Sequence, residues 1–291
     1  MTREDFRPTV SIVTGGASGI GRAIAAELVA RGSHVVVADL DAARAGEAAR
    51  ALGPSARAAQ VDVADAAAVT ALVERTVAEH GRLDVMVNNA GVAVGGLLEE
   101  LEEHHWAKAI DVNLRGVING VSAAYPQMCA QGSGHLLNTA SLAGLIPAPA
   151  MLPYTTTKHA VVGLSTALRA EAASQGVRVN VLCPAFVDTP LLDDVYAAPA
   201  SLGGSSVRAR VRLMQPRILT AEHVARRAVD GMAANKAVIP VGFLAHGSWR
   251  LLRYAPPLAR AVIQAQASAH RRLNERAARR VAASSRTHTS R

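Results

Sequence analysis

Val10-Ser11-Ile12-Val13-Thr14-Gly15-Gly16-Ala17-Ser18-Gly19-Ile20-Gly21 reads as a β-branched apolar run, a turn crowded with glycine, and the opening of an amphipathic stretch. Glycines between a strand and a helix permit a tight turn. They also let main-chain N–H groups approach a pyrophosphate, which the positive end of the following helix stabilises. Gly15, Ser18, Gly19, Ile20 and Gly21 are therefore candidate phosphate contacts. A second run, Val35-Val36-Val37-Ala38, ends in Asp39, 18 residues beyond Gly21. A carboxylate there can accept from both ribose hydroxyls of NAD while repelling the extra phosphate of NADP. No Lys or Arg lies in the turn or directly after Asp39, and Arg44 reads as the decoration of an exposed helix face. NAD is the expected cofactor, with NADP disfavoured and with Asp39 and Leu40 at the adenosine end.

Outward from this unit, residues 9–240 alternate short β-branched runs with longer Ala-rich amphipathic stretches, the pattern of repeated βα units and a parallel sheet. Strands are expected at 10–13, 34–38, 58–61, 83–87, 135–138, 177–182 and 237–239. Helices are expected at 20–31, 42–52, 66–80 (capped by Asp65 and stopped by Gly81), 107–129, 154–174 and 221–234. The stretch 188–216, rich in Gly, Ser, Ala and Pro, is long for a loop inside such a domain and reads as a substrate lid. Half of the 291 residues are apolar, which suits one large core. Two cysteines, Cys129 and Cys183, give no disulfide framework and point to a reducing compartment. The N-terminus runs straight into a strand with no apolar signal core, and no uncharged apolar run reaches membrane-spanning length, so a cytoplasmic protein is expected.

Tyr154 and Lys158, in Pro153-Tyr154-Thr155-Thr156-Thr157-Lys158, are spaced to share a helix face. A phenol is a poor base at neutrality, but a cation one turn away favours its ionised form and lowers its pKa. TGGASGIG at 14–21, NNAG at 88–91, Asn113, Ser141, Tyr154 and Lys158 stand in one order and spacing, and on them residues 9–240 resemble the short-chain dehydrogenase/reductase family. The resemblance implies an α/β single-domain Rossmann fold, a doubly wound seven-stranded parallel sheet with helices on both faces. It also implies a bound nicotinamide dinucleotide, a homodimer or homotetramer, and a catalytic set of Asn113, Ser141, Tyr154 and Lys158. Tyr154 would exchange a proton with the substrate oxygen, and Ser141 would hold that oxygen, with Thr139 as a weaker rival. Lys158 would tune the phenol and grip the nicotinamide ribose, and Asn113 would support a proton-relaying water. Further implied cofactor contacts are Asp62 and Val63 at the adenine, Asn89, Ala90 and Gly91 beside the ribose, and Pro184, Val187 and Thr189 toward the carboxamide. One departure stands at Ala185, where the family has glycine and a methyl would oppose a positive φ.

The lid offers Leu191, Leu192, Val195, Tyr196, Leu202, Val207, Leu213 and Met214, and Leu145, Ile146, Met151 and Leu152 lie near the catalytic residues. A lipophilic secondary alcohol or ketone, steroid-like, retinoid-like or long-chain, is expected, although such residues also build ordinary core. The alternative within the family is an NADPH-linked reductase of 3-oxoacyl groups carried on a carrier protein or CoA. From another class, the chain could sense NAD(H) without turnover. Net charge is +8, yet 243–291 alone holds ten of the 31 Lys and Arg and one of the 23 acids, Glu275, so this tail is +9 and the rest −1. The catalytic domain is expected to span 1–242, with 243–291 as a basic helical extension. In that extension Leu258, Val262, Ala265, Ala269, Leu273, Ala277 and Val281 recur at helical spacing among arginines. A solvated helix, a peripheral membrane or acidic-partner contact, and nucleic-acid binding compete, the last disfavoured by the lack of any nucleic-acid motif. The adjacent His104 and His105 lack metal-ligand spacing, and no metal site is expected.

Overall fold

Residues 6–197, 207–265, 267, 268, 271 and 272 are described by the structure, a computed structural model. Its first half runs β1 (Val10–Thr14), α1 (Gly19–Ala30), β2 (His34–Asp39), α2 (Ala42–Leu52), β3 (Ala56–Gln60), α3 (Ala66–His80), β4 (Val85–Asn88), β5 (Ala93–Gly95), α4 (Glu103–Ile110) and α5 (Gly116–Gln131). Then follow β6 (Gly134–Thr139), α6 (Leu152–Ala172), β7 (Val177–Pro184), β8 (Val195–Ala197), α7 (Val207–Met214), α8 (Ala221–Ala233), β9 (Val238–Val241), α9 (Phe243–Tyr254) and α10 (256–265).

Seven strands form one parallel sheet in the order β3-β2-β1-β4-β6-β7-β9. β1 and β4 are buried along their whole length, because helices cover both faces, and such strands read as continuous apolar runs. Alternate side chains feed opposite cores. Val13, Val35, Val37 and Leu137 pack with α1, α2 and α8, whereas Ile12, Val36, Met86 and Leu136 pack with α3 and α5. This is a doubly wound Rossmann-type domain. The expected signals around α3 hold: Asp65 Oδ1 accepts from the N–H groups of Ala67 and Ala68 at 2.9 and 3.1 Å, and Gly81 closes the helix at φ 75°.

Two features depart from the sequence reading. The single helix expected over 107–129 is instead α4, a π turn at Asp111–Arg115, and α5. Such an insertion preserves helical composition, so periodicity does not reveal it, and π turns cluster at functional sites. This one carries Asn113. In addition, β5 and β8 pair in parallel as a separate two-stranded sheet that ties the start of the lid to the chain following β4. Three-residue strands are too short for a period to register. Among the described residues, no helix is long and apolar enough to cross a membrane.

Candidate active site

The carboxyl ends of the central strands open onto a cavity of about 1070 Å³, where the strand order reverses between β1 and β4. Asp39, Leu40, Asp62 and Val63 line one end of it. Asp39 Oδ2 accepts the Ala17 N–H at 3.1 Å and Oδ1 accepts the Asp41 N–H at 3.3 Å, so the carboxylate also ties the glycine-rich turn to β2. Each oxygen keeps a further lone pair for a ligand hydroxyl. Arg44 is exposed, as expected of a helix-face residue, and also borders this end.

Gly15, Ser18, Gly19 and Ile20 line the middle, beside Asn89, Ala90 and Gly91. Gly15 sits at φ 61°, and a Cβ on it would lie 2.8 Å from Ala90 Cα, so side chains are excluded on both conformational and steric grounds. Asn89 Nδ2 donates to the carbonyls of Thr14 and Gly15 at 3.1 and 3.3 Å, and the Asn89 and Ala90 N–H groups donate to Thr14 Oγ1 at 2.9 and 3.2 Å. The NNAG turn therefore braces the glycine turn. Gly21 is not on the wall; a Cβ there would meet the Gly15 carbonyl at 2.1 Å, so its role is packing beneath the turn.

At the other end α6 begins at Leu152 with Pro153 in its first turn, which places Tyr154 and Lys158 one turn apart at the cavity floor. Lys158 is buried, its Nζ donates to the Thr139 carbonyl at 2.9 Å and lies 5.5 Å from the Tyr154 ring centroid. Ser141 caps the 3-10 turn Leu142–Gly144 by accepting the Ala143 N–H at 3.2 Å, and its hydroxyl lies near enough to the Tyr154 phenol to act on its pKa. Thr139 lines the same wall, with its buried hydroxyl unpartnered. Asn113 does not reach the cavity. Its amide accepts the Val92 N–H at 2.8 Å and donates to the Val92 carbonyl at 2.9 Å and to Thr157 Oγ1 at 3.4 Å, which pins the segment after Gly91 to α6. Pro184, Val187 and Thr189 line the wall from β7 and the chain beyond it.

Electrostatics overturn one expectation. Burial pushes the Tyr154 phenol above its ordinary value, with the Ser141 hydrogen bond pulling the other way, and burial brings Lys158 down to about 8. Enclosure of both groups outweighs the lowering expected from the lysine. The neighbouring Cys183 thiol is pushed up to about 12 by burial and stays protonated at neutrality. The doubt at Ala185 also dissolves. Among the described residues, only Ala150 and Asn235 are non-glycine with positive φ, and the Ala185 N–H donates to Val241 at 3.0 Å. The strain lies instead at Ala150, φ 61°, just before α6, at a cost on the order of 1 kcal/mol.

The substrate side is apolar: Ile146, Met151, Leu191, Leu192, Val195 and Met214 line it. Leu145 belongs to the core, Leu152 is exposed, and Tyr196 packs against His105 with ring centroids 5.4 Å apart. Leu202 and the side chains of Val207 and Leu213 lie outside the described residues. Arg208 on α7 bridges Asp188 and Asp193 at 2.5 and 2.6 Å and so clasps the lid. These pairs hold Asp193 below the usual carboxylate range. The sequence reading missed that Leu244, Leu251 and Leu252 of α9 and Ile263 of α10 also line the cavity. The helical stripe read in the tail, which begins at Leu258, Val262 and Ala265, does not include them. Of the tail positions singled out above, 269, 273, 275, 277 and 281 lie outside the described residues.

Residues 9–200 match the family model described as short chain dehydrogenase. The chain belongs to that family. A 3-oxoacyl-[acyl-carrier-protein] reductase of Staphylococcus aureus is 38% identical over 187 residues, covering 63% of this chain and 76% of that protein. A cis-4-hydroxycyclohexanecarboxylate dehydrogenase of Sinomonas cyclohexanicum is 38% identical over 245 residues, covering 82% and 94%. The solved structure of a short chain dehydrogenase/reductase from Burkholderia phymatum in complex with NAD superposes with a TM-score of 0.77 at 32% identity, over 87% of this chain and 96% of that one. This short chain dehydrogenase is thus an oxidoreductase with a nicotinamide-dinucleotide-binding Rossmann fold. The left-handed Gly15 and Gly19, where a Cβ would crowd Ala90 and Thr189 respectively, provide a cradle that fits the dinucleotide's phosphates.

Proposed function

We propose that this short chain dehydrogenase interconverts lipophilic secondary alcohols and ketones, steroid-, retinoid- or long-chain-like, with NAD as the preferred cofactor. The observation that carries the reading is one continuous cavity, with Asp39 at the adenosine end, Tyr154, Ser141 and Lys158 at the floor, and an apolar wall beyond them. A bound nicotinamide dinucleotide supplies hydride transfer. Everything else falls to the chain's own side chains. Tyr154 exchanges the proton of the substrate oxygen, and Ser141, beside the phenol on the same cavity wall, orients that oxygen. Neutral phenol with neutral amine, and phenolate with ammonium, hold the same number of protons. A proton can therefore shift within the Tyr154–Lys158 pair without changing the site's net charge. Asn113 positions the segment that follows Gly91. Residues 1–242 would form the catalytic unit with 188–216 as its lid, and α9 and α10 of the 243–291 extension would complete its cavity wall. The protein would work as a dimer or tetramer in the cytoplasm, where the free thiols Cys129 and Cys183 stay reduced.

Similarity to the acyl-carrier reductase of Staphylococcus aureus favours a second reading, reduction of 3-oxoacyl thioesters with NADPH. Following absorbance of the reduced nicotinamide over secondary alcohols of graded chain length, and over a 3-oxoacyl thioester, with both cofactors, separates the two. The proposal expects NAD to prevail and kcat/KM to rise about fourfold per added methylene, the worth of about 0.8 kcal/mol of apolar burial. NADPH preference with the thioester as best substrate would establish the second reading, and tight NAD binding without turnover on any substrate would point to a sensor.

A further inference from the structure

We infer that the outer faces of α9 and α10 dock this enzyme on an anionic phospholipid membrane. Phe243 is 93% exposed and Tyr254 79% exposed, although both belong to a well-formed helix. They are eleven residues apart, about three turns, and so share one face. Arg250 lies on the same face and Arg253 beside it, both exposed. On α10, Leu258 is 57% exposed, exposed Arg260 stands about half a turn round from it, and Val262, 44% exposed, also borders the cavity. The opposite face of α9 presents Leu244, Ser248, Leu251 and Leu252 to the cavity. One pair of helices is therefore apolar both toward the cavity and toward the outside, with arginine spread over the outer side.

Charge selects the occupant. Residues 243–272 contain no Asp or Glu. A second copy of the chain seated on this face would set Arg250, Arg253 and Arg260 against their own equivalents with no acid to relieve them, and like charges in contact oppose such an interface. The ion pair that links this region to the body, Arg271 to Glu99 at 2.9 Å, turns to the protein and leaves the others facing out. An acidic protein would satisfy the arginines but gives no reason for Phe243 to stand free of the body. A membrane interface accommodates both, taking aromatic and aliphatic side chains into the headgroup boundary while anionic lipids attract the guanidinium groups. The position also suits the apolar cavity beneath, since a lipophilic substrate entering between these helices would not cross water. The docking rests on exposed side chains alone and does not depend on the substrate reading, which only gives it a purpose.

The test uses the full-length enzyme sedimented with phosphatidylcholine vesicles, with and without phosphatidylglycerol. Two variants are compared: Phe243→Ser with Tyr254→Ser, and Arg250→Gln with Arg253→Gln and Arg260→Gln. None of these residues lines the cavity, so oxidation of a short water-soluble secondary alcohol should stay within about twofold of the parent and certify the fold. The expected result is salt-sensitive binding that requires phosphatidylglycerol, weakened on the order of 100-fold in the arginine variant, and at least about tenfold in the aromatic variant. No partition to anionic vesicles by the parent enzyme, or binding that neither variant weakens, would overturn the inference. So would light scattering that shows an oligomer lost in the variants, or capture by an acidic carrier protein in place of vesicles. Vesicle binding with no oxidation of long-chain alcohols would leave the docking standing and remove the substrate reading.

Discussion

Replacing Lys158 by methionine should stabilise the protein at neutral pH while destroying its catalysis. The lysine is 3% exposed, and burial brings its pKa from 10.5 to about 8. That shift corresponds to about 3 kcal/mol of penalty on the charged form. The sign follows from proton counts. Between pH 8 and 10.5 the unfolded chain holds a proton that the folded chain has released, so native stability rises with pH across that window, and the penalty is felt in full below it. Methionine keeps the length and shape without the charge. It also removes the donor to the Thr139 carbonyl, now bonded at 2.9 Å, a loss of about 1 kcal/mol. The net gain at pH 7 is therefore about 2 kcal/mol, or about 4 °C in Tm. Near pH 10 the gain should vanish or reverse, because the parent lysine is then largely neutral in the folded state. Urea unfolding of both proteins without cofactor, at pH 7 and pH 10, reads the difference directly. A Lys158→Met protein less stable than its parent at pH 7, or a difference that ignores pH, would refute the reasoning.

Other outcomes follow from the same geometry. Asp39→Ser should raise the ratio of NADP to NAD turnover at least about tenfold, since a like charge no longer faces the extra phosphate; NAD binding should weaken too, because the Ala17 N–H loses its acceptor. Arg208→Gln opens the clasp to Asp188 and Asp193, so KM for a lipophilic substrate should rise up to about fivefold and trypsin should cut within 188–216 sooner. Leu251→Ala with Leu252→Ala removes apolar wall at the substrate end, so KM for a long-chain alcohol should rise about tenfold or more, with the NAD Kd measured by calorimetry unchanged.

What the amino-acid sequence shows of this protein follows from how narrowly chemistry constrains a position. The turn 14–21 was legible because a phosphate cradle needs glycine where Gly15 adopts φ 61° and touches Ala90. Asp39, Tyr154 and Lys158 were legible because their residue types suit few other tasks at those spacings. Gly21 and Asn113 were singled out by the same motifs, yet both act behind the wall, one packing under the turn and the other bonding Val92. A motif preserves residues that build a site as well as those that touch its ligand. The pKa of Tyr154 was misjudged because a sequence shows its neighbour and not its burial. The part played by α9 and α10 was hidden for a related reason. Helical periodicity separates two faces, but only the packed fold shows that one of them roofs the cavity.

The central claim is that Tyr154 carries the proton of the reaction. Tyr154→Phe keeps the ring and removes only the hydroxyl, and its NAD affinity and its turnover of a secondary alcohol can be measured on one sample. The account predicts NAD binding within a few-fold of the parent and turnover lower by about 10²- to 10⁴-fold. Full turnover by Tyr154→Phe with NAD still bound would contradict it.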